Sequence, residues 1–288
     1  MGGIEILPVG SPAELDRFIK LPARLYAGDP AFVAPLVMER REALSPLKNP
    51  YFAHAETQFW LARRDGRDVG RISAQIDRLV TDPDVGHFGM IVAEDDAEVF
   101  AALFAAAEGW LRARGKRRIM GPFNLSINEE TGLLIDGFDA PPVMLMGHDP
   151  RYAGPRIEAL GYAKAKDLIA YMYDIDHELP AAARRKIDSR KATAPTVRRL
   201  DMQRYREELD TVTAIFNDAW SQNWGFIAFT EAEIAHMAKS LKMLIDPNCV
   251  AIVEMNGEAI GFGIALPNLN ELIADFGGNL LPFNWITL

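Results

Sequence analysis

The feature that most constrains the fold of this chain is a hairpin signature that occurs twice. The first copy, centred on Asp65-Gly66, is FWLARRDGRDVGRISAQI, and the second, centred on Asn256-Gly257, is CVAIVEMNGEAIGFGIAL. Asp-Gly and Asn-Gly between strand-forming residues favour a type I′ turn, because both central positions of that turn need positive φ angles. The two turns lie 191 residues apart, and a predicted strand and two predicted helices precede each of them. The sequence therefore predicts two modules with one topology.

Composition excludes several classes of protein. The 288 residues, 49% hydrophobic and 25% charged, are typical of a folded chain that is long enough for two cores. The net charge of −9 disfavours a nucleic-acid partner, which requires a basic face. The single cysteine, Cys249, fits a reducing compartment and is expected in a buried strand. We find neither a secretory signal nor an apolar run of about eighteen residues. We therefore expect a cytoplasmic protein with a small-molecule substrate and no membrane partner, and we leave a homodimer open.

The first module is predicted to alternate strands and helices. Hydrophobic periodicity predicts helices that begin at Ser11-Pro12, cover 35–44 and 97–114, and precede Gly161. Strands are predicted on either side of the first hairpin turn and at 4–9, 86–93, 118–122, 143–147 and 166–174.

A basic segment separates the modules. It contains Arg184, Arg185, Lys186, Arg190, Lys191, Arg198 and Arg199. Because the rest of the chain is acidic, we interpret this segment as a solvated linker rather than a phosphate site. The second module is predicted to contain a strand at 196–200, helices at 207–220 and 231–245, and the second hairpin. The predicted boundaries are 1–178 for the first domain, 179–195 for the linker and 196–288 for the second domain.

The second module is much shorter after its hairpin than the first. The first continues for 108 residues beyond Gly66, whereas 31 follow Gly257. A half-built sheet would leave an open edge and an apolar face. We therefore expect an incomplete second domain and a natural protein that is longer.

This order of elements resembles the GNAT acetyltransferase superfamily. The segment IEALGY at 157–162 is similar to the family's late helix-to-strand signature, and the resemblance covers the first module and half of the second. The segment GPFNLSINEETGLLIDGFD at 121–139, with HDP at 148–150, is similar to bacterial tandem GNAT-like proteins. The resemblance implies an α/β fold of two GNAT-like modules, each with a mixed, mostly antiparallel sheet flanked by helices.

The resemblance also implies acetyl-CoA as co-substrate. The family holds the pyrophosphate at the start of the long helix, on a loop of the form Arg/Gln-x-x-Gly-x-Gly/Ala. Here that position is AEDDAE at 93–98, which has no glycine and four carboxylates. Acidic residues at a helix start are ordinary capping residues and repel phosphate. We predict that the first module does not bind acetyl-CoA in this way, and the cofactor-binding residues stay unknown.

Polar residues after the strand at 118–122 are the candidate site. Asn124 and Asn128 are candidate substrate ligands, and Glu130 is a candidate general base for an amine. In the family, a tyrosine of the late helix acts as the general acid, and here that position is Ile157. Tyr152 is the nearby phenol that could take over this role. His148 is a candidate for proton transfer. The histidines lack metal-ligand spacing, so no metal is expected.

Each of these assignments has a structural alternative. Ser126 and Glu129 match a capping box, S-x-x-E, and Asp149 before Pro150 matches a helix start, which would make His148 structural. In the second module, Trp224 is a candidate for packing against an apolar or aromatic acceptor, and the alternative is that it belongs to a local core under a loop.

Two functions are compatible with these residues. The first is an acyl-CoA-dependent N-acyltransferase acting on a small amine or amino-acid-like acceptor. The alternative is a non-catalytic tandem GNAT-like protein that binds a ligand or partner.

Overall fold

The computed structural model describes residues 2–174, 176, 178–188, 195–242, 244–281 and 284. The chain divides into two compact units. Unit 1 holds the described residues of Met1–Ala165, Trp224–Ile227 and Asn268–Leu288, and unit 2 holds those of Lys166–Asn223 and Ala228–Pro267. The predicted domain boundaries stay a prediction.

Unit 1 is built on a five-stranded sheet. Its strands lie in sequence order and are β1 (Glu5–Pro8), β2 (Ala55–Arg64), β3 (Arg67–Asp77), β4 (Val85–Ala93) and β5 (Arg118–Met120). All neighbouring strands are antiparallel except β4 and β5, which are parallel. The helices are α1 (Pro12–Leu25) and α2 (Val37–Ala43) before β2, α3 (Ala97–Ala113) between β4 and β5, and α4 (Ala153–Glu158). This is the predicted order of strand, two helices, hairpin, strand, long helix and strand.

Helix α1 begins where the sequence predicted. The Ser11 hydroxyl accepts a hydrogen bond from the Glu14 N–H at 3.3 Å, and the Glu14 carboxylate accepts one from the Ser11 N–H at 2.9 Å. This capping box satisfies donors that no helical carbonyl can reach.

Helix α3 packs directly on the sheet. Its buried face consists of Val99, Phe100, Leu103, Phe104, Ala107 and Leu111. Two sheet glycines make room for it: a Cβ on Gly70 would lie 2.8 Å from Leu103, and one on Gly86 would lie 2.4 Å from Leu111. Each fully buried leucine or phenylalanine contributes about 1.5–3 kcal/mol to folding. The core of unit 1 therefore depends on this close approach.

Unit 2 contains a second, smaller sheet. Helix α5 (Ala181–Asp188) precedes β6 (Thr196–Arg199), α6 (Tyr205–Trp220) and α7 (Glu231–Leu241), and the hairpin strands are β7 (Val250–Met255) and β8 (Glu258–Ile264). The three strands lie in the order β6-β7-β8. The next helix in chain order, α8 (Leu269–Ile273), belongs to unit 1. Both units thus place a mixed or antiparallel sheet beside helices, which confirms the predicted fold class.

The two predicted hairpins form with the same turn. Asp65 and Gly66 have φ angles of 49° and 77°, and Asn256 and Gly257 have φ angles of 54° and 84°. Positive φ at both central positions is the requirement of the type I′ turn that the sequence predicted.

The repeat extends to the strand register. In unit 1, Glu5 of β1 pairs with Arg63, and in unit 2, Thr196 of β6 pairs with Glu254. Each residue of the second pair follows its counterpart by the same 191 positions that separate the turns. The register shift within the hairpin, after Ala62 in unit 1, also recurs at the equivalent place in unit 2. One topology therefore occurs twice through its first three paired strands.

Two predicted strands are wrong. Residues 143–147 contain a turn, in which the Met146 N–H donates to the Val143 carbonyl at 3.0 Å. Residues 166–174 form neither a strand nor a helix, and their large side chains are exposed. Strand propensity reflects packing on a sheet, and neither segment pairs with a strand in the part of the chain that the structure describes. Cys249 is exposed in a short 3₁₀ helix before β7, so its expected burial was also wrong.

The basic segment between the modules is partly structured. Arg184, Arg185 and Lys186 lie on α5, whereas Arg190 and Lys191 lie outside the described residues. Arg198 is paired within unit 2, where it donates to the buried Glu208 at 2.8 Å and to Glu254 at 2.5 Å. For this arginine, ion pairing replaces the expected solvation.

The hairpin turn provides a test of the fold. We expect Gly66→Ala to lower the free energy of unfolding by about 1–2 kcal/mol, because a Cβ is disfavoured at a φ of 77°. Urea denaturation measures the change. Gly109→Ala in the exposed part of α3 is the matched control, since nothing lies within 4 Å of its Cβ position. It should stabilise the protein by about 0.5–1 kcal/mol. Equal signs for the two variants would contradict the turn assignment.

Candidate functional site

The start of helix α3 is capped by its own side chain. The Asp96 carboxylate accepts hydrogen bonds from the Glu98 N–H at 2.8 Å and from the Val99 N–H at 3.4 Å. The hydrogen bond from Arg64 holds the pKa of Asp96 below its usual range. Two of the backbone donors that could receive an anion are therefore already occupied.

The acidic side chains around this helix start are also paired. Arg64 lies 2.5 Å from Asp96 and 2.9 Å from Glu98. The remaining two pairs are Arg67 with Glu94 at 2.6 Å and Arg156 with Asp95 at 2.7 Å. A pyrophosphate at this end would have to displace these ion pairs and meet four carboxylates. The residues present do not fit the CoA pyrophosphate.

The segment after β5 closes the edge of β4. The Phe123 N–H donates to the Phe88 carbonyl at 2.8 Å, and a Cβ on Gly89 would lie 1.8 Å from the Phe123 carbonyl oxygen. The strand bulges at Met90, whose φ is 50°, and the Met90 N–H donates to Asn124 Oδ1 at 2.7 Å. An oxyanion needs free N–H donors, so this one is not available to a thioester.

Asn124 and Glu130, two of the predicted residues, lie together. The Asn124 side-chain amide donates to the Glu130 carboxylate at 2.9 Å, and Arg40 of α2 lies 3.7 Å from the other carboxylate oxygen. Arg40 also pairs with Glu39 at 2.5 Å. Burial opposes the charge of Arg40, but the surrounding carboxylates outweigh it and hold its pKa above the usual range. Glu130 is thus a half-buried carboxylate in a network of charged and amide groups.

The other predicted residues have separate partners. The Asn128 amide donates to the Ile227 carbonyl at 3.0 Å. Trp224 packs against Phe123 with ring centroids 6.2 Å apart and remains 39% exposed. Each group is therefore held by a contact with a residue about 100 positions away in the sequence.

Tyr152 and His148 are held by backbone and carboxylate groups. The Tyr152 hydroxyl donates to the Ala93 carbonyl at 2.7 Å, and burial raises its pKa to about 12. The buried His148 side chain places Nε2 2.8 Å from an Asp29 carboxylate oxygen. The structure therefore joins neither residue to the pair of Asn124 and Glu130 by a hydrogen bond.

The two capping alternatives do not form. The Ser126 hydroxyl accepts from the Asn128 N–H at 3.2 Å in a segment without a helix. Asp149 lies before α4 but does not cap it, because its carboxylate accepts from the Leu134 N–H at 2.9 Å. The side chains of Ser126 and Asp149 therefore hold loop backbone in place and do not cap a helix.

The sequence reasoning missed Arg71. This arginine lies on β3 among buried residues, and its Nη1 donates to the Phe18 carbonyl at 2.7 Å while the guanidinium covers the Phe18 ring at 4.7 Å. Its Nε is shielded from solvent and has no acceptor among the residues that the structure describes. Burial lowers the pKa of Arg71 to about 10. A buried donor without an acceptor costs about 1–3 kcal/mol. A charged residue between Gly70 and Ile72 in an apolar strand was the available signal.

A cavity of about 180 Å³ in unit 1 adjoins this guanidinium. Its charged lining residues are all basic: Lys20, Arg40 and Arg71. The rest of its wall comes from Ile19, Pro22, Ala23, Ala34, Pro35, Val37, Gly277, Gly278 and Asn279. The cavity therefore combines three cations with a mainly apolar wall.

Within the described ranges, the chain contains neither a metal-binding cluster nor a membrane-spanning helix. No group of three or more His, Cys, Asp or Glu residues there is arranged to hold a metal ion. No helix in that part of the chain is long and apolar enough to span a bilayer.

The cap of α3 can be tested by substitution. We expect Asp96→Ala to cost about 1–2 kcal/mol, because two backbone donors and the Arg64 ion pair lose their partner. Asp95→Ala is the control, since its ion pair is exposed and contributes less than about 1 kcal/mol. Chemical denaturation measures both. Similar losses for the two variants would contradict the capping role.

The buried Asp149 makes stability depend on pH. Burial raises its pKa from 3.8 to about 6. The folded chain therefore holds this proton more tightly than the unfolded chain, so the stability contribution is present below pH 3.8 and is lost as the pH rises through about 6. We expect Asp149→Asn to raise the free energy of unfolding at pH 8 by about 1–3 kcal/mol and to have little effect at pH 4. Denaturation across this range measures the difference.

Asp139→Asn is the control for this prediction, because the Asp139 side chain is 91% exposed. It should leave the pH profile unchanged. A flat difference between wild type and Asp149→Asn would show that this carboxyl does not titrate in the window.

Comparison with known proteins identifies the family. No family model matches the chain. The chain is 57% identical over 289 residues to the protein named bacterial ceramide synthase of Caulobacter vibrioides (strain NA1000 / CB15N), covering 99% of this chain and 75% of that one. It is 45% identical over 278 residues to protein YghO of Escherichia coli (strain K12), covering 96% and 71%. A solved tandem GNAT protein from the clavulanic acid biosynthesis pathway is 13% identical, with a TM-score of 0.46 over 90% of this chain and 73% of that one. From the extent and identity of the first two matches, the chain belongs to the family that includes the bacterial ceramide synthase of Caulobacter vibrioides.

Proposed function

We propose that the protein is an N-acyltransferase that forms an amide on the amine of a sphingoid-base-like amino alcohol. The observation that carries this proposal is the 57% identity to the bacterial ceramide synthase across 99% of the chain. A ceramide is the amide of a sphingoid base and a fatty acid, so its synthesis is an N-acyl transfer. The proposed acceptor is more specific than the small amine or amino-acid-like compound that the sequence alone suggested.

The proposed reaction uses an activated acyl thioester as donor, with acyl-CoA as the first candidate. The acceptor nitrogen bonds to the acyl carbon, the carbon–sulfur bond breaks, and the amine proton passes through a base to the departing thiol. Such a step needs a neutral amine, close positioning of the two reactants and donors for the oxyanion. We assign no residue to the donor, because the start of α3 does not fit its pyrophosphate.

Glu130 is the candidate base of this proposal. Its carboxylate is half-buried and oriented by the Asn124 amide at 2.9 Å. A carboxylate in this setting attracts a cationic amine and can accept its proton. Tyr152 and His148 fit this role less well, because the Tyr152 hydroxyl donates to a backbone carbonyl and His148 contacts Asp29.

Turnover with matched donors and acceptors tests the function. The purified chain is incubated with acyl-CoA thioesters from acetyl to palmitoyl and with a sphingoid base, a short amino alcohol or an amino acid. Product amide is measured by mass spectrometry. We expect amide from the sphingoid base with a long-chain donor. Amide formation from the amino acid alone would overturn the proposed acceptor, and no amide from any pair would overturn the enzyme assignment.

The role of Glu130 is tested on the pair of substrates that turns over. We expect Glu130→Gln to reduce kcat by about 100-fold or more, since a base of this kind contributes that much. Glu39→Gln is the matched control, because Glu39 also pairs with Arg40 but does not contact Asn124. It should leave kcat almost unchanged. Equal kcat values for the two variants would make Glu130 a structural residue.

The capped start of α3 favours a second candidate, in which unit 1 binds a ligand without catalysing a reaction. Its donors are satisfied by Asp96, and its acids are paired with arginines. Saturable binding of a sphingoid base by calorimetry, without amide formation under any donor, would support this alternative over the enzyme.

A further inference from the structure

We propose that the basic cavity of unit 1, lined by Lys20, Arg40 and Arg71, is a binding site for a small oxyanion, either the phosphate or the carboxylate group of a ligand. This inference does not rest on the proposed acyl transfer, because it concerns the charge of the cavity itself. Its lining contains three cations and no carboxylate among the described residues.

The first observation is the unequal pairing of the three cations. The Lys20 ammonium binds Asp16 at 2.5 Å, and Arg40 binds Glu39 and approaches Glu130. Arg71 has no carboxylate partner in the described part of the chain. A desolvated guanidinium without a counter-ion is unfavourable, so such groups are normally paired or bind an anion.

The second observation is the orientation of the Arg71 guanidinium. Its Nη1 is held by the Phe18 carbonyl and its plane covers the Phe18 ring, which fixes the side chain in place. On the edge of the guanidinium that carries Nε and Nη2, the buried Nε has no acceptor among the described residues. This edge presents two parallel N–H groups, the arrangement that binds a carboxylate or phosphate through two oxygens.

The third observation is the size and composition of the cavity. About 180 Å³ accommodates a phosphate or carboxylate with a few attached carbon atoms. Around the cations, the wall consists mainly of proline, alanine, valine and isoleucine, so bound charge is poorly solvated and interacts strongly with Arg71. The site therefore selects a small anionic group that carries a short apolar neighbour.

Binding of simple anions tests the proposal directly. The whole chain is titrated with sodium phosphate and, separately, with sodium acetate, at ionic strength held constant with sodium chloride. Calorimetry and the melting temperature are both recorded. We expect saturable binding and a rise in Tm with at least one of the two anions. Phosphate alone indicates a phosphate-ester ligand, and acetate alone indicates a carboxylate. No saturable response to either anion would overturn the proposal.

Variants locate the site. Arg71→Met should weaken binding by roughly tenfold or more, since a charge-assisted pair of hydrogen bonds is lost. Arg151→Met is the control, because Arg151 is 65% exposed, pairs with Asp139 and does not line the cavity. It should bind the anion like wild type.

Lys20→Met keeps the test decisive if Arg71→Met does not fold. The Lys20 side chain is half exposed, and its partner Asp16 also binds Arg41, so the fold should tolerate its loss. We expect this variant to weaken anion binding by several-fold. If anion affinity is the same in wild type, Lys20→Met and any folded Arg71 variant, the anion binds elsewhere and the proposal fails. Because these readouts require no turnover, they stand or fall separately from the acyltransferase.

Discussion

The close packing of α3 on β3 and β4 is the constraint on which unit 1 depends. Gly70 and Gly86 carry no Cβ, so Leu103 and Leu111 occupy the space that a side chain on the sheet would fill. A larger residue at either position would move the helix outward and uncover the apolar face of the sheet.

Charge is distributed very differently at two places in unit 1. At the start of α3, carboxylates and arginines satisfy each other, and Asp96 fills the backbone donors. Near the cavity, Arg71 is partly buried, with its Nε shielded from solvent, and has no carboxylate partner among the described residues. The first arrangement stabilises a helix end and opposes anion binding, whereas the second retains an unused hydrogen-bond donor.

In the segment after β5, the Asn124 side chain connects the bulge of β4 to the Glu130 carboxylate. Asn124 links two elements, because its side chain accepts from the Met90 N–H and donates to Glu130. The same amide thus closes the bulge of β4 and orients the half-buried carboxylate. Replacing Asn124 would therefore disturb both the backbone of β4 and the position of the Glu130 carboxylate.

The sequence by itself determined the local elements. Asp65-Gly66 and Asn256-Gly257 specify turns through positive φ, Ser11 and Glu14 specify a helix start, and apolar periodicity specifies α3. These features depend on neighbours a few residues away, so they can be inferred from residue order. The repeated hairpin signature likewise predicted a topology that occurs twice.

Only the tertiary structure decided which polar groups meet. The strand propensity of 166–174 did not produce a strand, because pairing needs a partner that no local pattern supplies. Asn124 and Glu130 could be selected from their loop, but the approach of Glu130 to Arg40 of α2 joins residues 90 positions apart. Arg71 was missed because burial, a missing counter-ion and a cavity are properties of packing between distant segments. Local conformation could be predicted from the sequence. The pairing of charged side chains could not, because that pairing depends on which distant segments the fold brings together.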